Sequence, residues 1–342
     1  MAGTVLVTGG TGYIAGELID QLLARGWTVN TTVRSRAKNE TRLHTRWPNA
    51  GNRLKVFEAD LLADAGWAEA NKGCTHAAHV ASPFPLAVPK NEDELIVPAR
   101  DGTLRALRFA HAAGVTRFVQ TSSAAAIAYG HPPSQTRFDE SDWTDVDNPA
   151  TAEYPKSKTV AERAARDWVA EYAPEMVFCS VNPVAVLGPV HDDDLSTSIE
   201  FVRKALDGSM PMIPNVGVGI VDVRDVAALH VLALEAPDHL VRGERFAASG
   251  PFVWLADIAR TLRENLTPLH ARKVPTRRMP DFLVPVLALF MPEMRQLRTE
   301  MGRVREIDAS NAMKTLGWTM IDSEKTILDT ARSLIDQRIV KL

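Results

Sequence analysis

The chain has 342 residues, 45% of them apolar and 24% charged, with a formal net charge of −3. This is an ordinary soluble globular composition, long enough for one large α/β unit or two domains, and its charge offers no electrostatic hold for nucleic acid or an anionic membrane. Only two cysteines, Cys74 and Cys179, are present, which excludes a disulfide framework.

Met1 runs almost directly into the strand-like TVLVT (4–8), leaving no room for a signal peptide, so a cytoplasmic location is expected. A helical pattern follows from about Gly12 to Arg25. WTVNTTV (27–33), LKVFEA (54–59), CTHAAHVA (74–81), RFVQTS (117–122) and MVFCSVN (176–182) read as further strands. Helices fit between them, among them 91–113 and 154–172. Near-continuous apolar strands spaced by helices predict a parallel sheet covered on both faces, the doubly wound Rossmann architecture of the α/β class.

Beyond Pro183 the pattern loosens. SMPMIPNVGVG (209–219) leads into a helix at 222–236, and RFAAS (245–249) reads as a strand returning to the sheet. The expected organisation is a dinucleotide-binding domain over 1–184 with return segments at 219–249. A smaller, interleaved substrate lobe takes 185–218 and 250–320, and a C-terminal helix takes 321–342. The longest apolar run, FLVPVLALFM (282–291), contains Pro285 and is too short for a bilayer core of about 30 Å; a buried helix or pocket wall is expected. His76 and His79, three apart in a strand, fall on opposite faces. HDDD (191–194) reads as a solvated acidic loop, so no metal is expected.

VLVTGGTGYIAGEL places Gly9, Gly12 and Ala15 at three-residue spacing between a strand and a helix. Gly9 permits the tight turn, Gly12 lets the backbone approach a pyrophosphate, and a small third residue lets the helix pack closely on the sheet. The pyrophosphate then meets the free N–H groups of the helix N-terminus. Gly9, Gly12, Tyr13 and Ile14 are the contacts expected there. After the second strand, where an NAD site usually offers an acid to the ribose, VNTTVRSRAK offers Arg34, Arg36 and Lys38. A guanidinium matches a 2′-phosphate, so NADP(H) is the expected cofactor, with Arg34 as the contact.

EYPKSK (153–158) sets Tyr154 four residues before Lys158. Pro155 between them is tolerated only in the first turn of a helix, so the phenol and the ammonium share one face near a helix start. An ammonium beside a phenol favours the phenolate, which suits a general acid. TSS (121–123) ends the fifth strand, where a hydroxyl can polarise a substrate carbonyl.

With these motifs in order, the chain resembles the extended short-chain dehydrogenase/reductase superfamily. Within it the likeness is to the dihydroflavonol-reductase-like group, which includes microbial aldehyde and ketone reductases. VTGGTGYIAGEL, TVRSR, EADL (58–61), HVASPF (79–84), RFVQTSS, EYPKSKTVAE, VNPVAVLGP (181–189), VDVRDVAALHV (221–231) and ASNAMKTLGW (309–318) carry it over nearly the whole chain. The resemblance implies that Ser123 polarises the carbonyl, Tyr154 donates the proton, and Lys158 assists Tyr154 and binds the nicotinamide ribose. It also implies that Asp60 and Leu61 flank the adenine. Val80, Ala81 and Ser82 would run along the cofactor, and Pro183 would turn beside the nicotinamide.

There are departures from the family pattern. Ala15 replaces a third glycine. Ala128 stands where plant flavonoid reductases carry an asparagine for substrate hydroxyls, and the cinnamoyl-CoA-reductase signature around the tyrosine is missing. The loops around the nicotinamide are mostly apolar, with Phe84, Val88, Ala128, Tyr129 and Val186 expected to line the pocket. A hydrophobic or aromatic aldehyde or ketone is therefore the expected substrate. Two alternatives stand beside it: an NAD-dependent sugar-nucleotide epimerase or dehydratase, and a non-catalytic NADP-sensing regulator. Either a monomer or a homodimer is compatible with the sequence, and no nucleic-acid or membrane partner is expected.

Overall fold

The computed structural model describes residues 3–82, 91–191, 196–284 and 299–340. In chain order the first elements are β1 (Thr4–Val7), α1 (Tyr13–Ala24), β2 (Thr28–Val33), α2 (Arg36–Arg46), β3 (Leu54–Glu58), α3 (Trp67–Asn71) and β4 (His76–His79). Next come α4 (Asp93–Ala112), β5 (Arg117–Thr121), β6 (Arg137–Phe138), α5 (Glu153–Tyr172), β7 (Val177–Pro183) and β8 (Ala185–Leu187). They are followed by α6 (Thr197–Asp207), β9 (Gly217–Asp222), α7 (Val223–Glu235), α8 (Asp238–Val241), β10 (Arg245–Ala248) and β11 (Phe252–Trp254). The last are α9 (Leu255–Asn265), α10 (Pro268–Ala271), β12 (Glu306–Ile307), α11 (Ser310–Leu316) and α12 (Ser323–Asp336).

Side chains alternate across a strand, so an apolar strand covered on both faces feeds two cores. Val5 and Val7 of β1 pack with Leu18, Ile19 and Leu22 of α1 and Leu229 of α7, whereas Leu6 packs on the other face with Phe118, Phe178, Leu107 and Ala165. Each such buried aliphatic side chain stabilises the fold by about 1.5–3 kcal/mol. Seven parallel strands result, in the order β10-β7-β5-β4-β1-β2-β3. α1 and α7 cover one face; α4 and α5 lie together on the other.

A second core gathers Leu187, Ile199, Val202, Leu206, Ile258 and Leu262 with Ile327 and Leu334 of α12. Its sheet has three strands in the order β11-β9-β8, so β9 pairs here rather than in the seven-stranded sheet. Val221 and Val223 nevertheless pack into the first core, because β9 leads straight into α7. Ala309, Ala312 and Trp318, expected on the lobe side, also join the first core; the Trp318 indole donates to the Asp225 carbonyl at 2.9 Å. These long-range returns leave no periodic trace in the sequence.

Of the apolar run 282–291, only 282–284 belong to the described residues, and Phe282 there is exposed. Among the described residues no helix is long and apolar enough to cross a membrane. Both cysteines are buried thiols; burial pushes Cys74 up to about 11 and Cys179 up to about 12.

Candidate active site

β2 and β3 lie on one side of β1, while β4, β5, β7 and β10 lie on the other, so the crevice at the carboxyl ends of β1 and β4 is the topological switch point. Gly9 turns there with φ +73°, and a Cβ on it would stand 3.0 Å from the Ala81 Cβ. Gly12 caps α1 without a side-chain hydrogen bond, which leaves first-turn N–H groups for an anion. Gly10 is equally constrained: a Cβ would come within 2.2 Å of the Thr31 hydroxyl. The Gly-Gly dipeptide was its only signal.

Nothing in the sequence pattern marks Thr8, yet its hydroxyl ties the two strand ends together. It accepts from the amides of Val80 (3.0 Å) and Ala81 (2.9 Å) and lies 3.1 Å from Nδ1 of buried His79. Burial, with Lys158 acting in the same direction, pushes His79 down to about 3, so its neutral ring can accept the Thr8 proton. The backbone of Val80 and Ala81 is thereby fixed beside the glycine turn.

The Tyr13 side chain turns away from the glycine turn. Its ring packs against both the first and second cores, and its hydroxyl is buried near Gly188 without a hydrogen-bond partner among the described residues. Burial raises its pKa, and Asp222 adds to the rise. The side chain therefore joins the two lobes, while its position at the start of α1 leaves the backbone amide at the turn. Ile14 packs against the first core. The Asp60 carboxylate accepts from the Leu62 amide at 2.8 Å, and Leu61 packs on Gly102.

The three cations after β2 separate clearly. Arg36 is held by Glu40 at 2.7 and 3.0 Å, and its amide donates to Glu58. Lys38 is exposed on α2. Arg34 is exposed just past β2, with no carboxylate partner among the described residues. A phosphate could occupy its fork without displacing an ion pair.

Tyr154 and Pro155 lie in the first turn of α5, as the proline requires. Tyr154 is 41% exposed, and Lys158 Nζ sits 5.8 Å from its ring centroid. Lys158 also donates to the Ser82 hydroxyl at 3.0 Å, which joins α5 to the segment after β4. The two serines of TSS differ sharply. Ser122 donates to the buried Glu162 carboxylate at 2.6 Å, so its proton is engaged. Ser123 accepts from the Ala125 amide at 3.1 Å, and its hydroxyl makes only a 3.5 Å contact to the Pro183 carbonyl.

On the side expected to bind substrate, Phe84 and Val88 lie outside the described residues. Ala128 and Val186 are buried in the first core. Tyr129 is flanked by charge: Arg305 stands 4.2 Å over its ring, donates to the Ala128 carbonyl at 2.9 Å, and is paired with Glu300. Burial pushes Tyr129 up to about 12, with Glu300 acting in the same direction, so its hydroxyl stays neutral. Arg305 was absent from the sequence expectation because 176 positions separate it from Tyr129.

Elsewhere, Glu17, Asp20 and His191 bring potential ligand atoms within 4.8 Å of one another, but Asp20 already accepts from Arg46 and Trp47. The acidic residues 192–194 lie outside the described residues.

The profile of the NAD dependent epimerase/dehydratase family matches residues 5–248. Cinnamoyl-CoA reductase 1 of Arabidopsis thaliana is 33% identical over 97% of this chain and 89% of that protein. Dihydroflavonol 4-reductase of Zea mays is 30% identical over 77% of this chain and 74% of its own length. Among solved structures, yeast methylglyoxal/isovaleraldehyde reductase Gre2 complexed with NADPH superposes with a TM-score of 0.82 at 26% identity, covering 98% of this chain and 99% of that one.

Proposed function

We propose, because this chain belongs to the NAD dependent epimerase/dehydratase family and within it to the dihydroflavonol-reductase-like extended short-chain dehydrogenases/reductases, that it reduces a hydrophobic or aromatic aldehyde or ketone to the alcohol, reversibly and with NADPH. The observation that carries this reading is Lys158, bonded to Ser82 and 5.8 Å from the Tyr154 ring, together with Ser123, whose hydroxyl, unlike that of Ser122, meets no carboxylate among the described residues.

The glycine turn and the open first turn of α1 fit a pyrophosphate, and Arg34 fits a 2′-phosphate. NADPH supplies the hydride when bound. Ser123 donates a hydrogen bond to the substrate oxygen and stabilises negative charge as it develops there. Tyr154 delivers the proton to that oxygen, with the Lys158 ammonium one turn away, 5.8 Å from its ring. Its bond to Ser82 keeps the Lys158 side chain directed to the cofactor side.

The epimerase alternative needs basic residues for a diphosphate in the substrate lobe. Of the candidates Arg203, Lys204, Arg272 and Lys273, Arg203 is already held by Glu200 at 2.8 and 2.9 Å and by Asp207 at 2.6 Å. Likeness to a Pseudomonas aeruginosa nucleoside-diphosphate-sugar epimerase, 19% identical at a TM-score of 0.79, reaches the fold alone. The reading is tested by following NADPH oxidation with aryl ketones, aliphatic aldehydes, diketones, dihydroflavonols and UDP-sugars. Turnover of the first three classes is expected; turnover confined to UDP-sugars would overturn it.

A further inference from the structure

A carboxylate with no part in the proposed chemistry lies at the centre of the catalytic elements. Glu162 is fully buried on α5, one turn beyond Lys158 and two beyond Tyr154. It accepts from Ser122 (2.6 Å), Ser180 (2.9 Å), Asn182 Nδ2 (2.8 Å), Arg245 Nε (2.7 Å) and Arg166 Nε (3.2 Å). Burial opposes its charge, but Arg245 and Arg166 outweigh burial and hold its pKa below the ordinary carboxylate range. Thus one side chain of α5 gathers donors from the end of β5, from β7 and from β10.

Stability alone is a poor account of so polar a centre, since well-packed apolar residues often replace buried ion pairs at no loss. What the network does locally is specific. Ser123 makes few bonds through its own hydroxyl, so its direction depends on where its backbone is held. Asn182, anchored on Glu162, donates to the Ser123 carbonyl at 3.2 Å, and the preceding Ser122 is anchored on the same carboxylate.

We propose that Glu162 is a positioning residue that fixes the Ser122–Ser123 segment against α5 and so sets Ser123 relative to Tyr154. The proposal rests on the reading that Ser123 and Tyr154 act on a carbonyl. Without Glu162 the serine would drift from the substrate oxygen while the glycine turn and Arg34, on the far side of β1, stayed in place. A misplacement of about 1 Å costs about 10²-fold in rate.

The test compares Glu162→Gln, Glu162→Asp and Asn182→Ala in the full chain, with kcat expressed per NADPH-binding site counted by titration. Expected are a kcat about 10²-fold lower in Glu162→Gln, an unchanged Kd for NADPH, and a larger kinetic isotope effect with deuterated NADPH as hydride transfer becomes limiting. Glu162→Asp, which keeps the charge, should recover part of the rate. If Glu162→Gln fails to fold, Asn182→Ala decides, because it leaves the carboxylate with Ser122, Ser180 and both arginines. Wild-type kcat per site and isotope effect in the folded variants would overturn the proposal. Tyr154→Phe separates the two ideas: a dead Phe variant beside fully active Glu162 and Asn182 variants removes only this inference, whereas an active Phe variant removes the catalytic reading beneath it.

Discussion

The glycine turn after β1 and the wall around Tyr129 are built by opposite means. The turn depends on what is missing: three Cβ-less positions in four residues, one in the left-handed region, each opposed by a close neighbour. The wall depends on what arrives from far along the chain, an arginine from the C-terminal part stacked on an aromatic and paired with Glu300. A site made from local backbone geometry reads out of a short motif. A site made from distant side chains does not. On the proposed reading the first region serves the cofactor and the second the substrate.

Tyr154→Phe tests the ground between the two regions and carries the largest expected effect. It deletes one hydroxyl from the first turn of α5 and should lower kcat by about 10²–10⁴-fold with NADPH affinity unchanged. A Phe variant retaining most of the wild-type kcat would remove Tyr154 from the chemistry. Arg34→Asp probes the cofactor side alone. It replaces a guanidinium that has no carboxylate partner among the described residues with a charge that repels a 2′-phosphate, so the NADPH preference should reverse, chiefly through KM for the cofactor. Equal kcat/KM for NADPH and NADH in the unaltered protein would show that Arg34 reads no phosphate.

Arg305→Leu probes the wall alone. It keeps apolar cover on Tyr129 and loses the cation–π contact, worth about 0.5–2 kcal/mol. Substrate KM should shift differently among carbonyl compounds while cofactor kinetics stay constant; a uniform change in both would mean that the two regions are not separable.

The smallest effect concerns Asp225, at the start of α7, which accepts from the Ile321 amide at 2.7 Å. Burial pushes its pKa up to about 6, so the folded protein holds this proton over a pH range in which the unfolded chain, near ~3.9, has released it. Stability from this group is therefore full below the unfolded value and falls as pH rises toward about 6. Asp225→Asn should raise Tm by a few degrees above pH ~6 and leave it unchanged in acid, a difference readable by thermal melts at two pH values.

Much of the sheet was legible because its strands are buried on both faces and read as apolar runs: β1, β5 and β7 fall within a residue or two of their expected bounds. Gly9, Gly12, Tyr154 and Lys158 were legible because helix and turn geometry fix their spacing. Glu162 was hidden in plain view, four residues past Lys158, since a glutamate on a helix reads as solvated until the strands that bury it are known. Thr8, Asn182 and Arg305 act through partners 59 to 177 positions away, a separation no periodicity records. The placement of the Tyr13 ring was hidden for the same reason: it lies near Gly188 and Asp222 of another segment.

The proposed function stands or falls on hydride transfer from NADPH to a carbonyl carbon. The most direct measurement is single turnover with NADPH deuterated at the transferred position, using the best substrate found in the carbonyl panel, and mass analysis of the product. Expected is an alcohol carrying one deuterium on the former carbonyl carbon, formed by the unaltered protein and not by Tyr154→Phe. Product without deuterium, or isomerised substrate with the cofactor unconsumed, would contradict it.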